Sequence, residues 1–205
     1  MRTRKTAEAR RDEIVAAALT LADEIGPDRV TTQKLAEVVG LSQAGLFRHF
    51  PKKQHIWESV ADHIGHQMQL RWTRTEQRRS DTPEQQICHL VLGQLQLIQS
   101  FPAIPTLLFS RELLVENERL REAFASMLMA FRDRLKKMVS AAQGDDLIRS
   151  DVDPEDVALL LIALIQGLAA RWSVSGRRFN LLKEGQRLLE LQLQGLRNNN
   201  FGASD

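Results

Sequence analysis

The stretch TTQKLAEVVGLSQAGLFRHFPKK, Thr31–Lys53, decides how the rest of the chain is read. Leu35, Val38 and Val39 recur at helical spacing, so a short helix over 32–39 turns them inward. Thr31 or Thr32 is its N-cap and Gly40 stops it. Ser42 caps the next helix, which runs to about His49, with Leu46 and Phe50 four apart at its end. Two short helices joined by a glycine-bearing turn form a helix-turn-helix. Ala36 is small where the two would cross, and Leu41, Leu46 and Phe50 anchor the pair.

A hairpin that served packing alone would need those leucines and not the small, polar and basic residues between them. The arrangement puts Gln43, Ala44, Gly45, Phe47, Arg48 and His49 on exposed parts of the second helix or its end. A DNA major groove admits one helix, and side chains near its start read base edges. Gln43 suits an adenine and Arg48 a guanine. Ala44 and Gly45 allow close approach or contact with a thymine methyl, and Gly45 costs the helix about 0.8–1.0 kcal/mol relative to Ala. Thr32 and Ser42, at helix starts, have hydroxyls suited to phosphate. Lys52 and Lys53 follow Pro51 at the start of another helix, where free N–H groups also attract phosphate. Such contacts set register and salt dependence rather than sequence choice.

Outward from this stretch the chain reads as helices throughout. One over 6–25 carries Ile14, Ala17, Ala18, Leu21 and Ile25 on a single stripe and ends at Gly26-Pro27. A long helix from Pro51 keeps a four-residue beat through Ile56, Val60, Ile64 and Met68 to Trp72, then fades into the polar RTEQRRSDTP. Helices follow over 84–100, 105–114, 117–142, 154–175 and 180–197, with Pro102 and Pro105 breaking the chain between the first two. The sum is an all-α protein of about nine helices. An N-terminal arm and helix-turn-helix domain covers 1–51, a connecting helix 52–80, and a C-terminal regulatory and dimerisation domain 81–205.

Composition agrees. Apolar residues are 43% of the 205, there is no tyrosine, and no Asn-Gly or Asp-Gly hairpin signal occurs. The single cysteine, Cys88, excludes an intrachain disulfide and points to a reducing compartment. Net charge is +2, yet residues 1–80 hold 14 Lys/Arg against 10 Asp/Glu, and Arg2, Arg4, Lys5, Arg10 and Arg11 crowd the start. This basic end favours a polyanion partner, although a solvated terminus explains it equally well. The longest apolar run, Val157–Ile165, is shorter than the ~18 residues of a membrane span. A cytoplasmic protein that does not engage a membrane is expected.

The segment Ala7–Ile64 resembles the N-terminal domain of TetR/AcrR-type bacterial transcriptional regulators. The likeness rests on RRDEIVAAALTLADEIG and on VTTQKLAEVVGLSQAGLFRHFPKK. Its densest part, LSQAGLFRHFPKKQHIW, follows the family's Val/Leu-Ser-x-x-x-Leu-Tyr-x-His/Tyr-Phe-x-x-Lys pattern. Phe47 stands where the family usually has Tyr, so it contacts by packing only, and Ala44-Gly45 replaces a frequent Gly-Thr. The resemblance implies an Ω-shaped homodimer, a palindromic double-stranded DNA operator, and repression relieved by a small, partly apolar effector. No cofactor is implied.

Other constellations carry less. His63 and His66 with Asp62 make at most half a metal site, since zinc takes roughly three or four ligands. Cys88 has only His89 beside it, so a buried inert thiol is the better reading. Phe101, Phe109, Met127, Phe131 and Gln166 are candidate effector contacts, though the apolar four serve equally as core and Gln166 needs any amide partner. The last two helices hold more apolar surface than one chain needs, and a four-helix bundle of two copies would bury it. A nucleophile–base pair, a phosphate-binding glycine loop and a full metal set are missing, so an enzyme is not expected. The chain is therefore read as a ligand-responsive DNA-binding regulator, with an architectural, nucleoid-associated DNA-binding role as the alternative.

Overall fold

Helix starts are fixed locally by side chains that accept from otherwise orphaned N–H groups. Thr6 accepts from Ala9, Thr31 from Lys34, Ser42 from Gly45, Asp153 from Glu155 and Asn180 from Lys183. A computed structural model describes residues 6–198. They form α1 (Ala7–Ile25), a 3₁₀ turn (Pro27–Arg29), α2 (Thr32–Val38), α3 (Gln43–His49), α4 (Lys53–Glu76) and α5 (Pro83–Ser100). There follow α6 (Ile104–Phe109), α7 (Arg111–Glu116), α8 (Glu118–Gly144), α9 (Pro154–Val174) and α10 (Leu181–Gln194). Arg2, Arg4 and Lys5 of the basic arm lie outside the described residues.

The all-α expectation holds, with ten α-helices among the described residues where about nine were expected. The extra one comes from the predicted helix over 105–114. Ser110 is extended (φ −72°, ψ 99°) and starts α7 by accepting from Leu113 N at 3.2 Å. Its hydroxyl also donates to Asp28 Oδ1 at 2.7 Å, so a buried serine pins this corner to the 3₁₀ turn. α4 begins two residues later than Pro51, which lies in a bend with Lys52.

The chain packs as two units. The described residues up to Gln67, together with Phe101–Ser126, form the first. Its core is Ile14, Ala18, Leu35, Leu46, Phe50, Ile56, Trp57 and Val60, and α1 touches α2, α3 and α6. Residues 101–126, which division by composition assigns to the C-terminal segment, thus pack with the N-terminal helices. Asn117 explains part of this. Its Oδ1 caps α8 through Leu120 N at 3.1 Å while its Nδ2 donates to Gln54 O at 3.3 Å. Gln54 Nε2 returns a bond to Glu116 O at 3.0 Å.

The second unit holds Met68–Ser100 and the described residues from Met127 onward. α5 packs on α9 and α10, which pack on each other. Gly185 is buried where α10 meets α5, and a Cβ there would overlap Leu95 Cδ1. Trp72 stacks on Phe131 with centroids 5.9 Å apart, and the Arg134 guanidinium lies 4.2 Å over the Trp72 ring. Arg197 joins the end of this unit to α5 through Glu84, and Glu84 and Glu190 hold its guanidinium above the ordinary arginine range.

By length and composition α9 could cross a membrane, with a mean hydropathy of 1.9 over 18 residues. Gln166 and Gly167 break the uninterrupted apolar run without lowering this average much, and a buried core helix meets the same measure. Part of α9 is core, through Val157, Leu161, Ile165 and Leu168, while Leu159, Leu160 and Val174 are exposed.

Candidate nucleic-acid interface

The turn between α2 and α3 is built from backbone geometry. Gly40 takes φ +64°, a conformation that side chains disfavour, and Leu41 N reaches back to Ala36 O at 2.8 Å. Leu35, Ala36, Val39, Leu46 and Phe50 bury the inner face against α1. Arg10 Nη1 adds a bond to Val39 O at 3.3 Å, and the Arg11 guanidinium sits 4.9 Å from the Phe50 ring centre. Val38 departs from the expected inward face: it ends α2 and is 58% exposed.

This packing leaves Ser42, Gln43, Ala44, Phe47 and Arg48 exposed along α3, with His49 half-buried. Phe47 is an apolar ring 39% open to solvent. The Gln43 amide is already oriented, since its Nε2 donates to Thr32 Oγ1 at 2.9 Å. That bond ties the first residue of α2 to the first of α3 and leaves Gln43 Oε1 and one amide hydrogen for a base edge. Lys52 is exposed and Lys53 half-buried at the entry to α4. Among the described residues no carboxylate stands within ion-pair distance of Arg48, Lys52 or Lys53. Three cations without an ion pair beside one exposed helix make a surface suited to a phosphate backbone.

Gly45 was expected at the surface and is buried. A Cβ there would stand 3.2 Å from Ser42 Oγ, the capping atom, and 3.6 Å from an Arg48 guanidinium nitrogen. Its smallness serves the start of α3 itself, because Ser42 Oγ must reach Gly45 N at 3.1 Å. The Gln43–Thr32 bond left no trace in the sequence, because it spans the turn between two helices.

The five candidate effector residues divide between the two units. Phe101 and Phe109 lie in the first, where Phe101 meets His63 edge-on at 5.5 Å and Phe109 is 58% exposed. Phe109 thus stands on the surface, because Ser110 turns the chain directly after it. Met127, Phe131 and Gln166 lie in the second. Phe131 is buried against Trp72, and Met127 and Gln166 are half-buried. Among the described residues no group of three or more His, Cys, Asp or Glu could hold a metal. His89 Nδ1 lies 2.9 Å from Asp81 Oδ2. Burial is the main cause that pushes the Cys88 thiol up, and Glu84 and Glu190 add to it.

Residues 14–60 match the family described as bacterial regulatory proteins, tetR family. Residues 106–196 match the C-terminal part of BetI-type transcriptional repressors. The nucleoid occlusion factor SlmA of Vibrio atlanticus (strain LGP32) is 33% identical over 166 residues, 80% of this chain and 83% of that protein. Its namesake in Shewanella sediminis (strain HAW-EB3) is 33% identical over 165 residues, 80% of this chain and 82% of that protein. The fold is similar to the ketosteroid transcriptional regulator KstR2 of Mycobacterium tuberculosis. That likeness has a TM-score of 0.78 at 17% identity and covers 93% of this chain and 96% of the other. The fatty acid degradation regulator FadR from Bacillus halodurans gives 0.77 at 15% identity, covering 96% of this chain and 100% of the other. With its helix-turn-helix, its exposed α3 and matches along both halves, the chain belongs to the tetR family of bacterial regulatory proteins and is a DNA-binding transcriptional regulator.

Proposed function

We propose that the protein is a repressor that binds a nearly palindromic operator as a homodimer and is released by a small molecule. The observation that carries this reading is the exposed row of α3, with Gln43 held by Thr32 and with Arg48, Lys52 and Lys53 beside it outside any ion pair. Gln43, Ala44 and Arg48 meet base edges. Thr32, Ser42, Lys52 and Lys53 hold phosphates. Phe47 and His49 contact by packing at the end of the helix. Gly45 contributes only by letting the cap close.

A dimer through α9 and α10 supplies the second reading head. Leu159, Leu160 and Val174 on α9 and Leu191 on α10 are exposed apolar side chains, and a second copy is the occupant that family membership supports. Two-fold symmetry sets the recognition helices about 34–36 Å apart, or a multiple of that. The effector acts from the C-terminal half, and it competes with DNA by linkage. The protein works on the nucleoid in the cytoplasm and turns nothing over.

The relatives favour a second reading. Proteins named nucleoid occlusion factor match four-fifths of this chain. In that role the protein would occupy many dispersed sites and need no small ligand.

One experiment separates the two. Purified protein is mixed with a genomic fragment library at two salt concentrations and the bound fragments are sequenced. A short palindromic site at one or a few loci supports the local repressor. Many dispersed sites favour the occlusion role, and no enrichment at either salt overturns DNA reading by α3.

A further inference from the structure

Arg71 and Arg74 lie three residues apart near the end of α4, and Arg78 follows in the turn before α5. Like charges at that spacing on a helix oppose each other. Partial burial and the neighbouring Arg74 both push the Arg71 guanidinium below its ordinary value. Elsewhere in the same unit cations meet carboxylates: Arg132 and Lys136 share Glu155, and Arg134 reaches Glu76. Among the described residues no carboxylate lies within ion-pair distance of Arg74 or Arg78. Asp81, close by in sequence, faces His89.

The three arginines line one pocket of about 500 Å³ with α5 and α10. Leu92 and Leu182 give it apolar wall, and the Gln96 amide adds a polar group. Gly93 opens it further, since a Cβ there would meet nothing within 4 Å. That volume suits a small organic molecule. Guanidinium forks suit carboxylate or phosphate oxygens, two bonds at a time. An anionic head with a short apolar chain satisfies both parts of the lining and relieves the repulsion along α4.

We propose that the pocket between the end of α4, α5 and α10 binds a small amphipathic anion, a carboxylate or a phosphate monoester, and that this anion is the effector. The second clause rests on the reading of the protein as a ligand-responsive regulator, and the first does not.

The full-length chain is titrated calorimetrically with octanoate, octyl phosphate, octanol and a hexaglutamate peptide. One anion binds once per chain, and octanol binds at least about tenfold more weakly. Arg74→Gln with Arg78→Gln weakens the anion at least about tenfold, and the Lys pair at the same positions restores part of it. The preferred head group, carboxylate or phosphate, is whichever octyl compound binds tighter. If the glutamine pair does not fold, the native chain's choice between octanoate, octyl phosphate and octanol decides alone. Equal binding of octanol and the anions overturns the proposal, as does an unchanged affinity in the folded glutamine pair. Binding of hexaglutamate with none of the octyl compounds overturns it in favour of an acidic protein partner. DNA retention is then measured on the recovered genomic site. An arginine-dependent anion that leaves DNA affinity unchanged keeps the binding site and overturns its role as effector site.

Discussion

Gln43 Nε2 donates to Thr32 Oγ1 at 2.9 Å, so the first residue of α2 aims the first residue of α3. Thr32→Val removes the acceptor and keeps the shape. The expected cost is about 0.5–1.5 kcal/mol on a preferred DNA site, the net worth of one such bond, with a smaller loss on a scrambled duplex, where only the phosphate contact of Thr32 is removed. Fluorescence anisotropy on both duplexes measures this. An equal loss on both would make Thr32 a phosphate ligand and nothing more.

Arg48 and the Lys52/Lys53 pair differ in what they read. Arg48→Ala should cost about 1–3 kcal/mol on the preferred site and relax the choice at particular base pairs. Replacing both lysines should weaken all sequences alike and reduce the salt slope by about 1 for each lysine. Titrations at several salt concentrations decide it. A lysine pair that altered only base preference would reverse these roles.

Ser110 holds two elements with one hydroxyl, through Asp28 and Leu113 N. Ser110→Ala leaves a carboxylate and a helix start short of a partner and should lower stability by about 1.5–3 kcal/mol. Ser100, whose hydroxyl bonds Gln96 O at an exposed position, is the control. Its alanine variant should stay within about 0.5 kcal/mol. Urea unfolding of both variants compares them.

The exposed apolar residues of α9 and α10 predict what breaks the dimer. Leu160→Glu with Leu191→Glu puts four carboxylates into a two-fold interface and should yield monomers by light scattering. Operator affinity should fall with it, because each half-site is then bound alone. A dimer that survived both changes would move the interface elsewhere.

Burial, with Glu84 and Glu190 behind it, holds the Cys88 thiol above its ordinary value. A raised thiol value means less thiolate at any given pH. Cys88 should therefore react with an aromatic disulfide at pH 8 more slowly than a free model thiol does, and faster once the chain is unfolded in urea. Equal rates in the folded and unfolded chain would show that burial does not protect it.

The sequence made the helix-turn-helix legible because its signals are local. Ser42 and Thr31 cap within three residues, Gly40 marks its own turn, and Leu35, Leu46 and Phe50 repeat with the helix. It misjudged Gly45 because a small residue reads the same at an open surface and under a crowded cap. Val38 sits at the end of α2, where helical periodicity no longer says what covers a side chain. The break at Ser110 depends on Asp28, 82 residues away, which no local pattern records. The arginine pocket was missed for a similar reason. Arg71, Arg74 and Arg78 fall in or beside a polar stretch that composition alone marks as a connection, and their shared wall comes from α5 and α10. The i, i+3 arginine pair was the available signal.

Gly185 has a consequence for how such chains diverge. Any side chain there would overlap Leu95 Cδ1, so the fully buried Leu95 side chain would have to turn or shrink to admit it. A lineage that acquires alanine at 185 has to turn or shrink the side chain at 95, so a smaller residue 95 should accompany it more often across relatives that keep this helix crossing. Relatives with a side chain at 185 and a large residue at 95 should pack α10 on α5 differently, and thereby reshape the α5 and α10 walls of the arginine pocket. The pair is thus a marker that sorts descendants by C-terminal architecture, whatever has become of their reading heads.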